Sequence, residues 1–154
     1  MEPTDLELRP ADAEDVRGVR RLVRDAYGLY VQRIGREPAP MTADYEALVA
    51  AREVTVAVED GTIVGVLVLR EQPGSLLVEN VAVAPAAQGR GIGRALLAHA
   101  EIHARALGLR RIALYTNAKM TENLSFYPSL GYVEVDRRVE HGFERVFFEK
   151  ALRP

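Results

Sequence analysis

The sequence predicts an α/β domain in which an antiparallel meander of strands feeds one right-handed βαβ unit. Three observations carry that expectation. Asp60-Gly61 joins two runs rich in β-branched residues, 53–59 and 63–70, which is a strong hairpin signal. An apolar strand at 76–83 runs through a glycine-rich corner into an amphipathic helix of about 91–107, which stops at Gly108. Another strand, 111–116, follows that helix, so strands 76–83 and 111–116 are expected to lie side by side in parallel.

From the N-terminus, residues 5–9 alternate weakly and read as a first strand. Asp12 is placed to cap a helix over 13–30, whose apolar positions Val16, Val19, Leu22, Val23, Ala26 and Tyr27 repeat at helical spacing. Arg17, Arg20, Arg21 and Arg24 mostly take the other side, which reads as a solvated face before a partner surface. Residues 31–41 fit neither period, and Gly35, Pro38 and Pro40 predict an ordered loop. Thr42 is then expected to cap a short helix through Val49 or Ala50. Pro73-Gly74 turns the chain into strand 76–83, and Thr121 to Leu130 reads as a short helix ending at Gly131. Two last strands, near 132–138 and 145–149, flank a turn at His141-Gly142. No repeat, low-complexity run or long linker interrupts the chain, so a single domain over 1–154 is expected.

With 48% hydrophobic and 27% charged residues, the chain has the balance of a globular protein with a substantial core. A net charge of −2 points to neither nucleic acid nor an anionic membrane. The apolar runs are too short to span a bilayer, and Met-Glu-Pro-Thr-Asp lacks the apolar core of a signal peptide, so a cytoplasmic location is expected. The chain has no cysteine, which rules out disulfides, zinc–thiolate sites and a thiol nucleophile.

Chemistry concentrates in the glycine corner. Gly89, Gly91 and Gly93 remove side chains where a ligand would approach the backbone. The first N–H groups of the next helix lack internal partners and lie at its positive end, an arrangement that binds phosphate. Three cofactor classes use such a corner. A Walker loop needs Lys-Ser/Thr after its last glycine, but Arg94-Ala95 stands there. A dinucleotide fingerprint needs a third glycine in register near the chain start, which this segment lacks. The third class is coenzyme A held by its pyrophosphate.

Gln88-Gly89-Arg90-Gly91-Ile92-Gly93 resembles the Gln/Arg-x-x-Gly-x-Gly/Ala signature of the GNAT superfamily of N-acetyltransferases. Asn80-Val81-Ala82-Val83-Ala84-Pro85 resembles the strand before it in that family, and Ser125-Phe126-Tyr127-Pro128-Ser129-Leu130-Gly131-Tyr132 resembles the family's closing Tyr-x-x-Leu-Gly-Phe/Tyr segment. The resemblance implies a GNAT-like (acyl-CoA N-acyltransferase) fold. That fold is a mixed, largely antiparallel sheet of about seven strands, a central βαβ unit and about four helices. It implies roles as well. The amides from Gly89 through Ile92 and Gly93 to Arg94 would cradle the pyrophosphate of acetyl-CoA, Gln88 would open the motif, and Arg90 and Arg94 would add charge. The backbone of Val81, Ala82 and Val83 would pair with the pantetheine arm as a pseudo-strand does. Tyr127 would protonate the departing thiolate; a phenol of pKa about 10 can serve a thiol of about 8.5 with modest help.

Some positions depart from the family pattern. Asn123, one helical turn before Tyr127, would hydrogen-bond the pantetheine or the acyl carbonyl. Relatives place that Asn where Met120 stands here, so Asn117 competes for the role. Pro128 replaces the usual charged residue, removes a hydrogen bond to the Leu124 carbonyl and predicts a bend beside Tyr127. For the general base, Glu79 lies on the same strand face as Val81 and Val83 by alternation, and Tyr115 is the rival on the next strand. In the family the segment after the first helix lines the acceptor pocket, which places Tyr30, Arg33, Arg36 and Met41 there. Two arginines would favour an acceptor with a carboxylate or phosphate, against local pairing with Glu37 or Asp44. His99 and His103 are one turn apart but share the apolar face of their helix, so partly buried histidines are expected and no metal is. His141 is expected as an exposed turn residue.

The sequence therefore points to an acetyl-CoA-dependent N-acetyltransferase that acts on a small-molecule primary amine by direct attack in a ternary complex, needs no metal, and binds neither nucleic acid nor membrane. A homodimer is one option for its assembly. The rivals are an acetyltransferase acting on a protein N-terminus or lysine, a non-catalytic coenzyme A sensor, and a nucleotide-binding protein using the same corner.

Overall fold

A computed structural model describes residues 6–153, so Asp5 and the N-terminal pentapeptide lie outside the described residues. Seven strands form one mixed sheet of order β1-β2-β3-β4-β5-β7-β6. They are β1 (Leu6–Pro10), β2 (Val54–Glu59), β3 (Thr62–Gln72), β4 (Ser75–Val83), β5 (Arg111–Asn117), β6 (Val133–Glu140) and β7 (Phe143–Ala151). The expected meander and βαβ unit are present: β1–β2, β2–β3, β5–β7 and β6–β7 pair antiparallel, and β4–β5 pair in parallel. The hairpin tips at Asp60-Gly61 and His141-Gly142 both hold consecutive positive φ angles (50° and 76°, 53° and 80°), the geometry of a type I′ turn.

Among the described residues helices number six, where about four were expected. They are α1 (Val16–Tyr27), α2 (Tyr30–Ile34), α3 (Ala39–Thr42), α4 (Tyr45–Ala50), α5 (Ile92–Ala106) and α6 (Thr121–Ser129). The helix expected over 13–30 divides into a 3₁₀ turn at Ala13–Asp15, α1 and α2. The loop expected over 31–41 holds most of α2 and the start of α3. Its glycine and prolines act as helix punctuation: Gly35 ends α2 at φ 93°, and Pro40 sits in the first turn of α3, where a missing N–H costs nothing. Asp12 caps as expected, accepting from the Glu14 amide, while its own amide donates to Asp15. Asp44, not Thr42, caps α4 through the Ala47 amide (3.1 Å). The Thr42 hydroxyl turns back to the Ala39 carbonyl (3.2 Å).

The chain packs as two compact units. The first comprises the chain up to Leu69 together with Asn80–His99. Its core sets Val16, Val19, Leu22 and Val23 of α1 against Tyr45, Val49, Val54, Val56, Val66 and Val68. Each such aliphatic side chain contributes about 1.5–3 kcal/mol by burial. On β3, Gly65 lets α5 lie close: a Cβ there would stand 2.9 Å from Cδ1 of Leu96 and 3.1 Å from Cγ2 of Ile92. This contact seats the first turns of α5 on the sheet.

The second unit comprises Arg70–Glu79 and the chain from Ala100 onward. Its parallel ladder runs from Leu76↔Ile112 to Val78↔Leu114. Ile112, Leu114, Val146 and Phe148 form its buried strand layer, and α6 adds Tyr127. The edge strand β6 exposes Val133, Val135 and Val139, but a bulge between Glu134 and Asp136 and five charged residues blunt it against pairing.

Candidate active site

The glycine corner belongs to the first unit. Pro85–Ala87 makes a 3₁₀ turn, and then Gly89 (φ 81°) and Gly91 (φ 85°) take left-handed conformations that a side chain would strain. No atom lies within 4 Å of a Cβ built at either glycine, so the corner is open on that side. Gly93 lies in the first turn of α5. The first helical bond there is Ala95 N–H to Gly91 O (3.0 Å), so the amides of Ile92, Gly93 and Arg94 precede it and stay available to an anion. Arg94 is exposed beside them. Arg90 is engaged elsewhere, forking onto Glu59 at the end of β2 through Nη1 (2.9 Å) and a second contact from Nη2. That hydrogen bond holds the Glu59 carboxyl below its ordinary pKa. Gln88 donates its amide to the Val83 carbonyl (3.3 Å) and so ties the corner to the end of β4.

A buried hydrogen-bond chain ties β4 to the segment after α1. The Tyr27 hydroxyl donates to Oδ1 of Asn80 (2.5 Å) and also lies 3.2 Å from the Val81 carbonyl. Asn80 Nδ2 donates to the Tyr45 hydroxyl (3.2 Å), which donates to the Pro40 carbonyl (2.6 Å). Asn80 is 6% exposed and Tyr45 2%. Burial pushes the Tyr45 phenol up to about 12, so it is a constant donor at neutral pH. Among the four residues expected to line an acceptor pocket, Met41 packs against the core of this unit. Tyr30 lies against Tyr27 (ring centroids 6.4 Å apart) and carries the Arg33 guanidinium 5.0 Å above its ring. Arg36 is exposed. Asp44, one of the local partners considered for these arginines, caps α4 through Oδ1.

In the second unit Tyr127 is buried among Phe126, Tyr132 and Phe148, at centroid distances of 5.4, 5.9 and 5.8 Å. Pro128 is the next-to-last residue of α6 and marks where the helix stops. Asn123 donates to the Thr116 hydroxyl (3.0 Å), which lies 3.7 Å from the Met120 sulfur. Asn117 instead accepts from the Lys119 amide in a turn. Glu79, the candidate base, lies 3.7 Å from Arg70. Tyr115 has its hydroxyl pKa raised by burial and by the nearby Glu79 charge. Its ring carries the Arg145 guanidinium at 4.3 Å, and Arg145 pairs with Glu140 (3.0 Å). Tyr115 and Phe147 line a groove of about 520 Å³ with Leu77, Arg138 and Glu140. Reading the sequence missed the Thr116 tether and the Asn80–Tyr45 link. The first crosses a strand-to-helix turn and the second joins residues 35 positions apart, and a polar residue at a buried strand position was their only signal.

His99 is half-buried as expected, but His103 is exposed, beside a face of α5 that stays buried through Ala100 and Ala104. His141 is exposed at its turn. Among the described residues no group of three metal-ligating side chains converges. No described helix is long and apolar enough to cross a membrane.

Residues 17–132 match the acetyltransferase (GNAT) family model. The chain is 50% identical over 62 residues to the N-alpha-acetyltransferase 80 of Mus musculus, covering 40% of this chain and 18% of that protein. It is 32% identical over 154 aligned residues to the amino-acid acetyltransferase of Ralstonia nicotianae, covering 92% of this chain and 31% of that one. The chain thus spans less than a third of either relative. The PaiA N-acetyltransferase of Thermoplasma acidophilum, solved in complex with coenzyme A, shares the fold with a TM-score of 0.74 at 18% identity, covering 95% of this chain and 98% of that one. The glycine corner ahead of α5, the mixed seven-stranded sheet and a family match across most of the chain lead to one conclusion: this chain belongs to the acetyltransferase (GNAT) family.

Proposed function

We propose that the chain is an acetyl-CoA-dependent N-acetyltransferase that transfers an acetyl group directly to a small primary amine. The observation that carries this reading is the pair of left-handed glycines, Gly89 and Gly91, which open a row of unpaired amides at the head of the 15-residue helix α5. That backbone suits a pyrophosphate, and coenzyme A in the Thermoplasma relative supports the choice of ligand. Arg94 adds charge beside the amides. Arg90 joins it on release from Glu59. Val81, Ala82 and Val83 supply backbone to the pantetheine arm, with the Val81 and Val83 carbonyls already fixed by Tyr27 and Gln88.

In the reaction the amine lone pair attacks the thioester carbonyl, and backbone amides of β4 stabilise the oxyanion. The C–S bond breaks as Tyr127 gives its proton to the sulfur, while Glu79 takes the proton lost by the amine, directly or through water. Asn123, steadied by Thr116, contacts the pantetheine. The chain has no cysteine, so no cysteinyl acyl-enzyme forms. Tyr30, Arg33, Arg36 and Met41 border the acceptor, and the two arginines favour an amine that also carries a carboxylate. The name of the Ralstonia relative supports an amino acid as such an amine. The family match spans residues from both compact units, which supports a single acetyltransferase domain.

Thermal unfolding with acetyl-CoA, coenzyme A, ATP and NAD in separate wells tests the reading. Ligand at about 100 times its dissociation constant adds about 2.7 kcal/mol and raises the midpoint by several degrees. Acetyl-CoA and coenzyme A alone should produce the shift, and thiol release with a panel of amines should then identify the acceptor. A shift with ATP or NAD instead, or with none of the four, overturns the assignment.

A further inference from the structure

We propose that the groove between α1 and α4 is a second ligand site, built for a small multivalent anion carrying linked phosphates or clustered carboxylates. This goes beyond the transferase reading and does not depend on it. The groove has a volume of about 460 Å³, the size of a small-molecule pocket. Arg17, Arg20, Arg21 and Arg24 line it, and Glu46 is its only acidic residue. The four arginines fall at helical spacing along about 10 Å of α1, at 1.5 Å per residue.

The charge lining this groove is unbalanced, with four arginines against one glutamate. Several arginines elsewhere pair closely: Arg9 with Asp15, Arg90 with Glu59, Arg137 with Glu134, and Arg145 with Glu140. The sequence holds 22 acidic against 20 basic residues, so partners were not scarce. Yet among the described residues Arg17, Arg21 and Arg24 form no ion pair or side-chain hydrogen bond. Arg20 meets Glu46 only at 3.5 Å, with 45% and 72% of the two side chains exposed, a pair weak enough for a ligand to displace. Like charges one turn apart on a helix repel, and a bound anion relieves that repulsion. Guanidinium is always charged, and its planar fork matches phosphate and carboxylate. Ala13 and Val16 offer only a small apolar floor, so charge rather than apolar contact sets the ligand's chemistry.

Isothermal titration of the protein with inorganic triphosphate, and separately with citrate, tests the proposal, each with and without saturating coenzyme A. The parent should bind one anion with an affinity that falls as salt rises, and coenzyme A should leave that affinity within about twofold. The combined variant Arg17→Ala/Arg21→Ala/Arg24→Ala should bind at least tenfold more weakly while keeping its circular dichroism spectrum and its coenzyme A affinity. Three results overturn the proposal: no binding at millimolar anion, equal affinity in the variant, or displacement by coenzyme A, which would place the anion in the glycine corner. A protein that binds no coenzyme A would defeat the transferase reading and leave the groove result standing.

Discussion

Replacing Tyr45 with Phe removes one buried oxygen and leaves the ring in place. That oxygen donates to the Pro40 carbonyl at 2.6 Å and accepts from Asn80 at 3.2 Å. Two hydrogen bonds at about 1 kcal/mol each set the base of the loss. Asn80 is 6% exposed, so its stranded N–H finds little water and adds up to about 1 kcal/mol, while the half-buried Pro40 carbonyl recovers hydration. The expected destabilisation is about 2–3 kcal/mol, or roughly 5–10 °C for a chain of this size. Urea unfolding followed by circular dichroism measures it, with an unchanged m-value. The pH dependence is a second check. The folded phenol has its pKa pushed up to about 12, against about 10 when unfolded, so folding favours the protonated form. Its contribution is complete below about pH 10 and is lost as pH rises from there towards the folded value. The gap between parent and variant should therefore close over that window. Hydrogen exchange at 38–42 should also quicken in the variant, because Tyr45 anchors that segment. A variant within about 0.5 kcal/mol of the parent, or a gap that does not narrow between about pH 10 and pH 12, would refute the reasoning.

Gly91→Ala meets no clash, only left-handed strain, so it should cost about 1–2 kcal/mol in urea unfolding and weaken coenzyme A at least tenfold by calorimetry. Tyr127→Phe should lower turnover about a hundredfold while coenzyme A affinity stays within twofold; equal rates would remove Tyr127 from the chemistry. Glu59→Gln frees Arg90 and removes a negative charge from beside the corner, so coenzyme A should bind several-fold tighter at low salt, with the gain fading as salt rises. Asp15→Asn loosens the fork from Arg9 (2.7 and 3.1 Å) and weakens the cap bond from the Asp12 amide, costing about 1 kcal/mol near neutral pH after solvent screening. The Arg9 hydrogen bond holds the folded Asp15 pKa below its unfolded value of about 3.9, so the stabilisation is present above that pH and is lost as pH falls through the folded value. Acid titration should show parent and variant converging there.

The parts of the fold legible in the sequence are those fixed by local rules. Asp60-Gly61 and His141-Gly142 set their hairpins because few other dipeptides hold two positive φ angles in a row. The apolar stripe of α1 and the stop of α5 near Gly108 follow from residues within a turn or two. The segment from Leu29 to Asp44 was misjudged for an equally local reason: glycine and proline serve at helix ends as well as in loops. Only tertiary contacts, such as Met41 packing on the core, decide between the two. His103 was misplaced because helical periodicity puts it near the apolar stripe of α5 without saying how wide the buried stripe is; Ala100 and Ala104 are buried while His103 is not.

The site divides along the same line. The phosphate recognition proposed for the corner would rest on backbone amides, and backbone conformation is set by glycines adjacent in sequence; six consecutive residues, Gln88 to Gly93, were enough to propose it. Recognition by side chains is assembled from distant segments. Tyr27 reaches Asn80 across 53 positions and Asn80 reaches Tyr45 across 35. No window of sequence contains such a contact. The side chains that bond there do so inside the protein and point no free group at an acceptor. Under the proposed function, Asn80 and Tyr45 would therefore act on an acceptor only through the segment they hold in place. Changing them should alter how firmly α3 and Pro40 are seated before it alters which amine is chosen. Under the proposed function, acceptor choice falls instead to exposed side chains such as Arg33 and Arg36.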